Sequence, residues 1–120
     1  ELFPHLPDLG FDVVSVFAPR EKADVAPRLS MINGHCDLIA WKRGRTFIGV
    51  EKTANRLVEH LAARRAGTVD AAEPTGLLTH VWAQDEDCWE ALEAVLRLVT
   101  DHPAACWLDH AGLRPERAAA

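Results

Sequence analysis

The stretch Thr75-Gly-Leu-Leu-Thr-His80 decides how this chain is read. Glu73-Pro74 ahead of it breaks any helix, and Gly76-Leu-Leu reads as a short buried strand. His80 then stands at the carboxyl end of that strand. A polar loop, Gln84-Asp-Glu-Asp87, follows and leads into an apolar pattern of helical period. In α/β sheets, functional groups collect where strands end and βα loops begin. His80 is therefore the first candidate for chemistry, as a general acid or base that titrates near neutral pH. The bland alternative is a polar strand-end residue bonded to backbone.

Working outward, the segment after the loop has Asp85 as its N-cap, with Glu86 and Asp87 in the first turn. Its helix is predicted to run to about Asp101, burying Trp89, Leu92, Val95, Leu96 and Val99, and Pro103 ends it. Before the strand, a second helix is predicted from Gly49 to Ala66, with Val50, Ala54, Leu57, Val58, Leu61 and Ala62 as its apolar positions. Gly67 closes it as a C′ residue. Further upstream, Phe11–Phe17 and Leu29–Asn33 read as strands, with a charged loop from Glu21 to Arg28. Residues 104–108 read as a last strand, and Leu2, Phe3, Leu6 and Leu9 as a short proline-limited helix. The Asn33-Gly34 turn signal is not read as a hairpin, because the residues after it do not alternate cleanly.

The resulting order is strand, strand, helix, strand, helix, strand. Such an order implies an α/β fold with parallel strands and right-handed crossover helices. One domain over residues 1–110 is expected, with a frayed tail at 111–120. A parallel piece of this size has two edges and looks like part of a larger sheet or barrel.

Composition narrows the function classes. The chain has 120 residues, is 48% hydrophobic and carries a net charge of −5. The negative charge argues against nucleic-acid binding, since no basic stripe offsets phosphate repulsion. No apolar run is long enough to span a membrane. Cys36, Cys88 and Cys106 are too few and too widely spaced for a disulfide framework or a CxxC metal pair. Free thiols suit a reducing compartment, which gives the cytoplasm as the expected location. No signal peptide is visible, and an opening at Glu1 without Met fits a processed or truncated start.

A second cluster precedes the first helix: His35-Cys-Asp-Leu-Ile-Ala-Trp41. His35 and Asp37 lie two apart, so in an extended segment they share a side. A carboxylate beside an imidazole fixes its tautomer, and Asp37 can do this for His80 if the two strand ends are neighbours. The alternative for Asp37 is a helix or turn cap. His35, Asp37 and His80 are residue types that ligate metals, but no spacing supports them as one set. Trp41 and Trp82 flank these loops, and an indole face suits the apolar face of a sugar ring. Packing is the commoner use of tryptophan, and Trp89 and Trp107 read as core. Cys36 lacks an aligned base and reads as packing. Lys42-Arg-Gly-Arg45 is a basic turn, either solvated or facing an anion.

Taken together, residues from about Leu9 to Leu108 resemble the carboxyl-terminal half of polysaccharide deacetylase-like proteins, carbohydrate esterases built on a deformed (β/α) barrel. Leu9-Gly-Phe11 through Phe17-Ala-Pro-Arg20 looks like a late barrel strand. Asn33-Gly-His-Cys-Asp-Leu-Ile-Ala-Trp41 looks like the family's fourth motif, and Gly76-Leu-Leu-Thr-His80 like its fifth. The resemblance implies hydrolysis of an acetyl group from a sugar, with a divalent metal, usually zinc, polarising the carbonyl. It assigns His80 as the acid, Asp37 as the carboxylate that tunes it, and Trp41 as a wall of the acetyl pocket. Trp41, His35 and Trp82 are the residues expected to face the sugar. The family's paired-aspartate motif, His-x-x-x-His motif and arginine motif are absent from these residues, and Val81 follows His80 where an aspartate is usual. The expectation is thus no metal ligands within this chain, and either a fragment of a deacetylase or a relative put to another use. The rival reading is a non-catalytic α/β module that binds carbohydrate or protein through its edges, as a homo-oligomer or with a complementing chain.

Overall fold

The computed structural model describes residues 2–109 and 112–113. Most of the expected tail at 111–120 lies outside the described residues. The fold is mixed α/β with three small sheets, and no barrel is closed. The strands are β1 (Val13–Val14), β2 (Asp24–Ala26), β3 (Leu29–Met31), β4 (Cys36–Asp37), β5 (Ile39–Ala40), β6 (Thr46–Phe47) and β7 (Leu77–Leu78). The long helices are α1 (Val50–Ala66) and α2 (Glu86–Asp101). Three short 3₁₀ turns, two near the amino end and one at Trp41–Arg43, complete the elements.

Leu29 to Asp37 forms one nearly continuous extended segment, paired in succession with two parallel partners. β3 lies parallel to β1, with Val13 opposite Ser30, and a parallel bridge between Phe17 and Gly34 prolongs the pairing. β4 then pairs in parallel with β7, Cys36 opposite Leu77 and Asp37 opposite Leu78. α1 is the crossover between β4 and β7. The parallel pairing expected of helix-linked strands therefore holds for β4 and β7, while β1 and β3 are parallel with no helix between them.

Two antiparallel pairs depart from the all-parallel expectation. The charged segment before Leu29 is not wholly loop: β2 folds back on β3 through Pro27-Arg28, with Arg28 in the left-handed region at φ 65°. β5 and β6 form a hairpin across the basic turn, where Gly44 and Arg45 take φ values of 81° and 58°. In both cases a left-handed residue reverses the chain within a few positions, a local signal easily lost among charged side chains. Residues 104–108 are not a strand; Pro103 and Ala104 form a turn. Trp89 and Trp107 are 39% and 50% exposed, so neither is core.

The interior is small and unusually polar. The buried apolar residues are Leu29, Met31, Cys36, Leu38, Ile39, Cys88, Ala91 and Leu92. Nearly as many buried residues are polar, including Asn33, His35, Asp37, Thr53, His60 and Glu73. α1 is turned accordingly. It buries Thr53 and His60, while Val50, Val58 and Leu61 face outward. The polar face wins because it has partners waiting: Cys36 donates its thiol to the Thr53 carbonyl at 3.8 Å, and Arg56 donates to the Asp37 carbonyl. α2 forms where its pattern predicts, and Asp85 caps it by accepting the Cys88 N–H at 3.0 Å, but of the residues expected inside only Leu92 is buried, with Cys88 and Ala91 beside it; Trp89 and Leu96 are exposed, and Val95 and Val99 half-buried.

Candidate functional site

Asp37 ends β4 and His80 lies two residues past β7, so the parallel pair delivers both side chains to one rim. His80 Nε2 lies 3.1 Å from Asp37 Oδ1. The contact is an ion-pair distance whose donor direction falls off the line of a hydrogen bond. The carboxylate is held from two other sides. The Ile39 N–H donates to Oδ1 at 2.9 Å, and Trp41 Nε1 donates to Oδ2 at 2.7 Å. The Trp41 ring meets the His80 ring edge-on, at a centroid distance of 4.7 Å and an interplanar angle of 89°. Gln84 steadies the other strand end by accepting the His80 backbone N–H at 3.0 Å.

These contacts decide the chemistry available. Asp37 accepts from Ile39 and Trp41, which fixes the orientation of its carboxyl group. With Nε2 turned toward the Asp37 carboxyl group, Nδ1 is the nitrogen left to serve a ligand. The side chain of His80 is 29% exposed, enough to reach one. A cleft of about 540 Å³ opens beside the pair, bordered by Trp41, Arg45, His80, Val81, Trp82 and Gln84. Trp82 is fully exposed and Trp41 nearly half so. The arrangement can hold and donate a proton at the foot of two aromatic faces.

His35 does not share this rim. Both the His35 and Cys36 N–H groups donate to the Gly76 carbonyl, at 2.8 and 3.0 Å. Two successive N–H groups aimed at one acceptor break the two-residue alternation, so His35 turns inward toward Glu73 while Asp37 turns toward His80. Its side chain is 1% exposed, and its Nε2 lies 3.1 Å from Glu73 Oε2. His35 is corrected from sugar-facing to interior. Cys36 is fully buried, and burial pushes its thiol pKa up, against the opposing pull of Arg56. Its assignment to packing agrees with that environment.

A second cluster escaped sequence reading. Glu73, fully buried, accepts the Asn33 N–H on Oε1 and the Arg20 N–H on Oε2, each at 2.9 Å. His60 of α1 stacks on His35 with centroids 3.7 Å apart and 21° between planes. Burial first, then the neighbouring His35 and Arg64, lower the His60 pKa against the opposing pull of Glu73. Glu73 carried no visible signal beyond its place before Pro74, and its partners lie 40 and 53 positions away in sequence.

His35, His60 and Glu73 bring three ligand-type atoms within 4.8 Å of one another, the one such metal-sized group among the described residues. They do not fit a metal. The Gly76 N–H donates to His35 Nδ1 at 2.9 Å, which puts the proton of the neutral ring on Nε2. A ligating imidazole needs the opposite arrangement, with the metal on one nitrogen and a donated N–H on the other. Nor can one ion lie near the planes of two stacked, almost parallel rings. Among the described residues no other group of this kind is available to the divalent metal that the resemblance implies. A comparison of the chain with family models, with curated proteins and with solved structures finds no match to any of them.

Proposed function

We propose that the His80–Asp37 pair is the proton-transfer part of a site that hydrolyses an acetyl group from a sugar, in a chain related to the carboxyl-terminal part of polysaccharide deacetylase-like barrels. The observation that carries this reading is the 3.1 Å approach of His80 Nε2 to Asp37 Oδ1 beside an aromatic-walled cleft. Asp37 fixes the imidazole; His80 supplies the proton that the departing amine or alkoxide needs when its bond to the acyl carbon breaks. The hydroxyl of water bonds to that carbon, the other proton of the water returns to His80 through solvent, and acetic acid leaves. Trp41 and Trp82 offer their faces to the ring of the sugar. No residue described here activates the water, and no step is assigned to a metal.

The test is turnover of an acetylated chito-oligosaccharide by the full natural protein. His80→Ala is expected to lower kcat by about 10²–10⁴, the usual worth of a positioned general acid, with KM little changed. Unchanged kcat removes His80 from the chemistry. The exposure of Trp82 favours a second reading, a module that binds sugar without cleaving it. In that case the wild type shows no turnover, and Trp82→Ala abolishes binding while His80→Ala does not.

A further inference from the structure

The two ends of the β4/β7 pair are built differently. The carboxyl ends present His80 to the cleft with Asp37 behind it, whereas the amino ends are sealed around Glu73 and His35. Each strand of the pair is two residues long. So short a ladder does not by itself hold a register, and a slip of one residue would turn the site side chains to the other face.

We infer that Glu73 and His35 are positioning residues that fix β4 against β7 and thereby set the approach of His80 to Asp37. Glu73 ties its own segment to two others: its oxygens take the Arg20 N–H and, on the Leu29–Asp37 segment, the Asn33 N–H, and face His35 Nε2. His35 passes the constraint to the second strand, because its Nδ1 accepts the Gly76 N–H just before β7. The Gly76 carbonyl returns it by accepting the His35 and Cys36 N–H groups. The His60 ring, stacked on His35 and held at Nδ1 by the Thr75 hydroxyl at 3.0 Å, fixes the plane of the imidazole that makes the link. Every donor and acceptor in this chain of contacts is intramolecular and buried or half-buried, the condition under which such networks specify one geometry.

Glu73→Gln tests the inference. Glutamine keeps the shape but has one oxygen, so its NH₂ must face a backbone N–H that Glu73 now satisfies. The inference rests on the His80–Asp37 reading of the site, but the test follows geometry and not turnover, so the two can fail separately. In ¹⁵N-labelled full chain, the Ile39 amide and the Trp41 indole both report on the Asp37 carboxylate. The expected result is a folded E73Q whose Ile39 and Trp41 signals move toward their positions in Asp37→Asn. The Trp107 indole, bonded to Thr100, should stay in place. A folded E73Q with Ile39 and Trp41 at their wild-type positions overturns the inference. Should E73Q not fold, hydrogen exchange of the wild type decides. A common opening for the Gly76 and Ile39 amides supports the link; protection differing by more than about tenfold refutes it.

Discussion

Replacing Gly76 with alanine perturbs the strand pair at the point where its two chains come closest. A Cβ at Gly76 would stand 2.4 Å from the Asn33 carbonyl oxygen and 3.0 Å from the Gly34 Cα. The first distance is about 1 Å short of an ordinary carbon–oxygen contact of roughly 3.3 Å. Both obstacles are backbone, so no side chain can swing aside, and β7 must move away from the Leu29–Asp37 segment. That movement strains the bonds at Gly76: its N–H to His35 Nδ1 at 2.9 Å and its carbonyl from His35 and Cys36 at 2.8 and 3.0 Å. Overpacking costs about 1–3 kcal/mol and one weakened hydrogen bond about 1 more. The smaller backbone entropy of unfolded alanine returns about 0.4–1. The expected net loss is about 2–3 kcal/mol, or roughly 8–12 °C in Tm for a chain of this size. Thermal unfolding followed by circular dichroism measures it. Gly34→Ala provides the contrast, since its Cβ would strike the flexible end of Leu78, with Cδ1 at 1.6 Å. Leu78→Ala should therefore rescue Gly34→Ala in part and leave Gly76→Ala unrescued. A Gly76→Ala protein melting within about 2 °C of wild type would refute the close backbone approach.

Other expectations follow from single contacts. An aromatic disulfide reagent should modify Cys106 quickly and reach Cys36 and Cys88 only on unfolding, because Cys106 alone of the three is exposed; fast reaction of all three would contradict the packing of β4 and α2. The lowered pKa of His60, due first to burial, leaves its folded form resisting protonation that the unfolded chain accepts. Stability from this group is complete above its ordinary value of 6.5 and declines as pH falls through the lowered one, so urea midpoints should drop between pH 7 and 5, and drop less in His60→Gln. The Asp70 carboxyl is held low by the Ala72 N–H first and by Arg20 next, and adds a second decline below its ordinary 3.8. Asp85→Ala removes the α2 cap and should cost about 1 kcal/mol, read from denaturant midpoints; no loss would mean that the Cys88 N–H is satisfied otherwise.

The legible parts of the chain were those whose signals are local. Asp85, Glu86 and the apolar period of α2 announce that helix, and Gly67 the end of α1, within a turn of where they act. The proximity of Asp37 and His80 followed from a topological rule, that parallel neighbours present their carboxyl ends together. What failed was reasoning by periodicity where polar groups are buried. α1 has an apolar stripe at Val50, Val58 and Leu61, yet its Thr53–Arg56–His60 face turns inward, because Cys36, Asp37 and Thr75 supply the hydrogen-bond partners it needs. His35 was misplaced for a related reason. The alternation that would pair it with Asp37 is interrupted by a shared acceptor, the Gly76 carbonyl, which lies 41 residues downstream of His35.

The polar interior also explains why a two-residue ladder suffices at the site. Burying a carboxylate without partners costs several kcal/mol, so Glu73 is tolerated only in the conformation that satisfies it. Its acceptors are filled by N–H groups from Arg20 and Asn33, and Arg20 is itself fixed by Asp70 at 2.8 Å and by the Met31 carbonyl at 2.7 Å. Asn33 adds two more links, accepting the Val16 N–H at 2.9 Å and donating to the Ala18 carbonyl at 2.7 Å. An apolar core of the same volume would accept neighbouring registers at small cost, since methyl groups are interchangeable and directional bonds are not. Specificity of register therefore comes from the costly group, and the site at the far end of β4 and β7 inherits it. Replacing Glu73 by leucine would discard that direction along with the charge, and would be expected to leave a chain that still collapses but presents Asp37 and His80 in more than one arrangement, seen as broadened Ile39 and Trp41 signals.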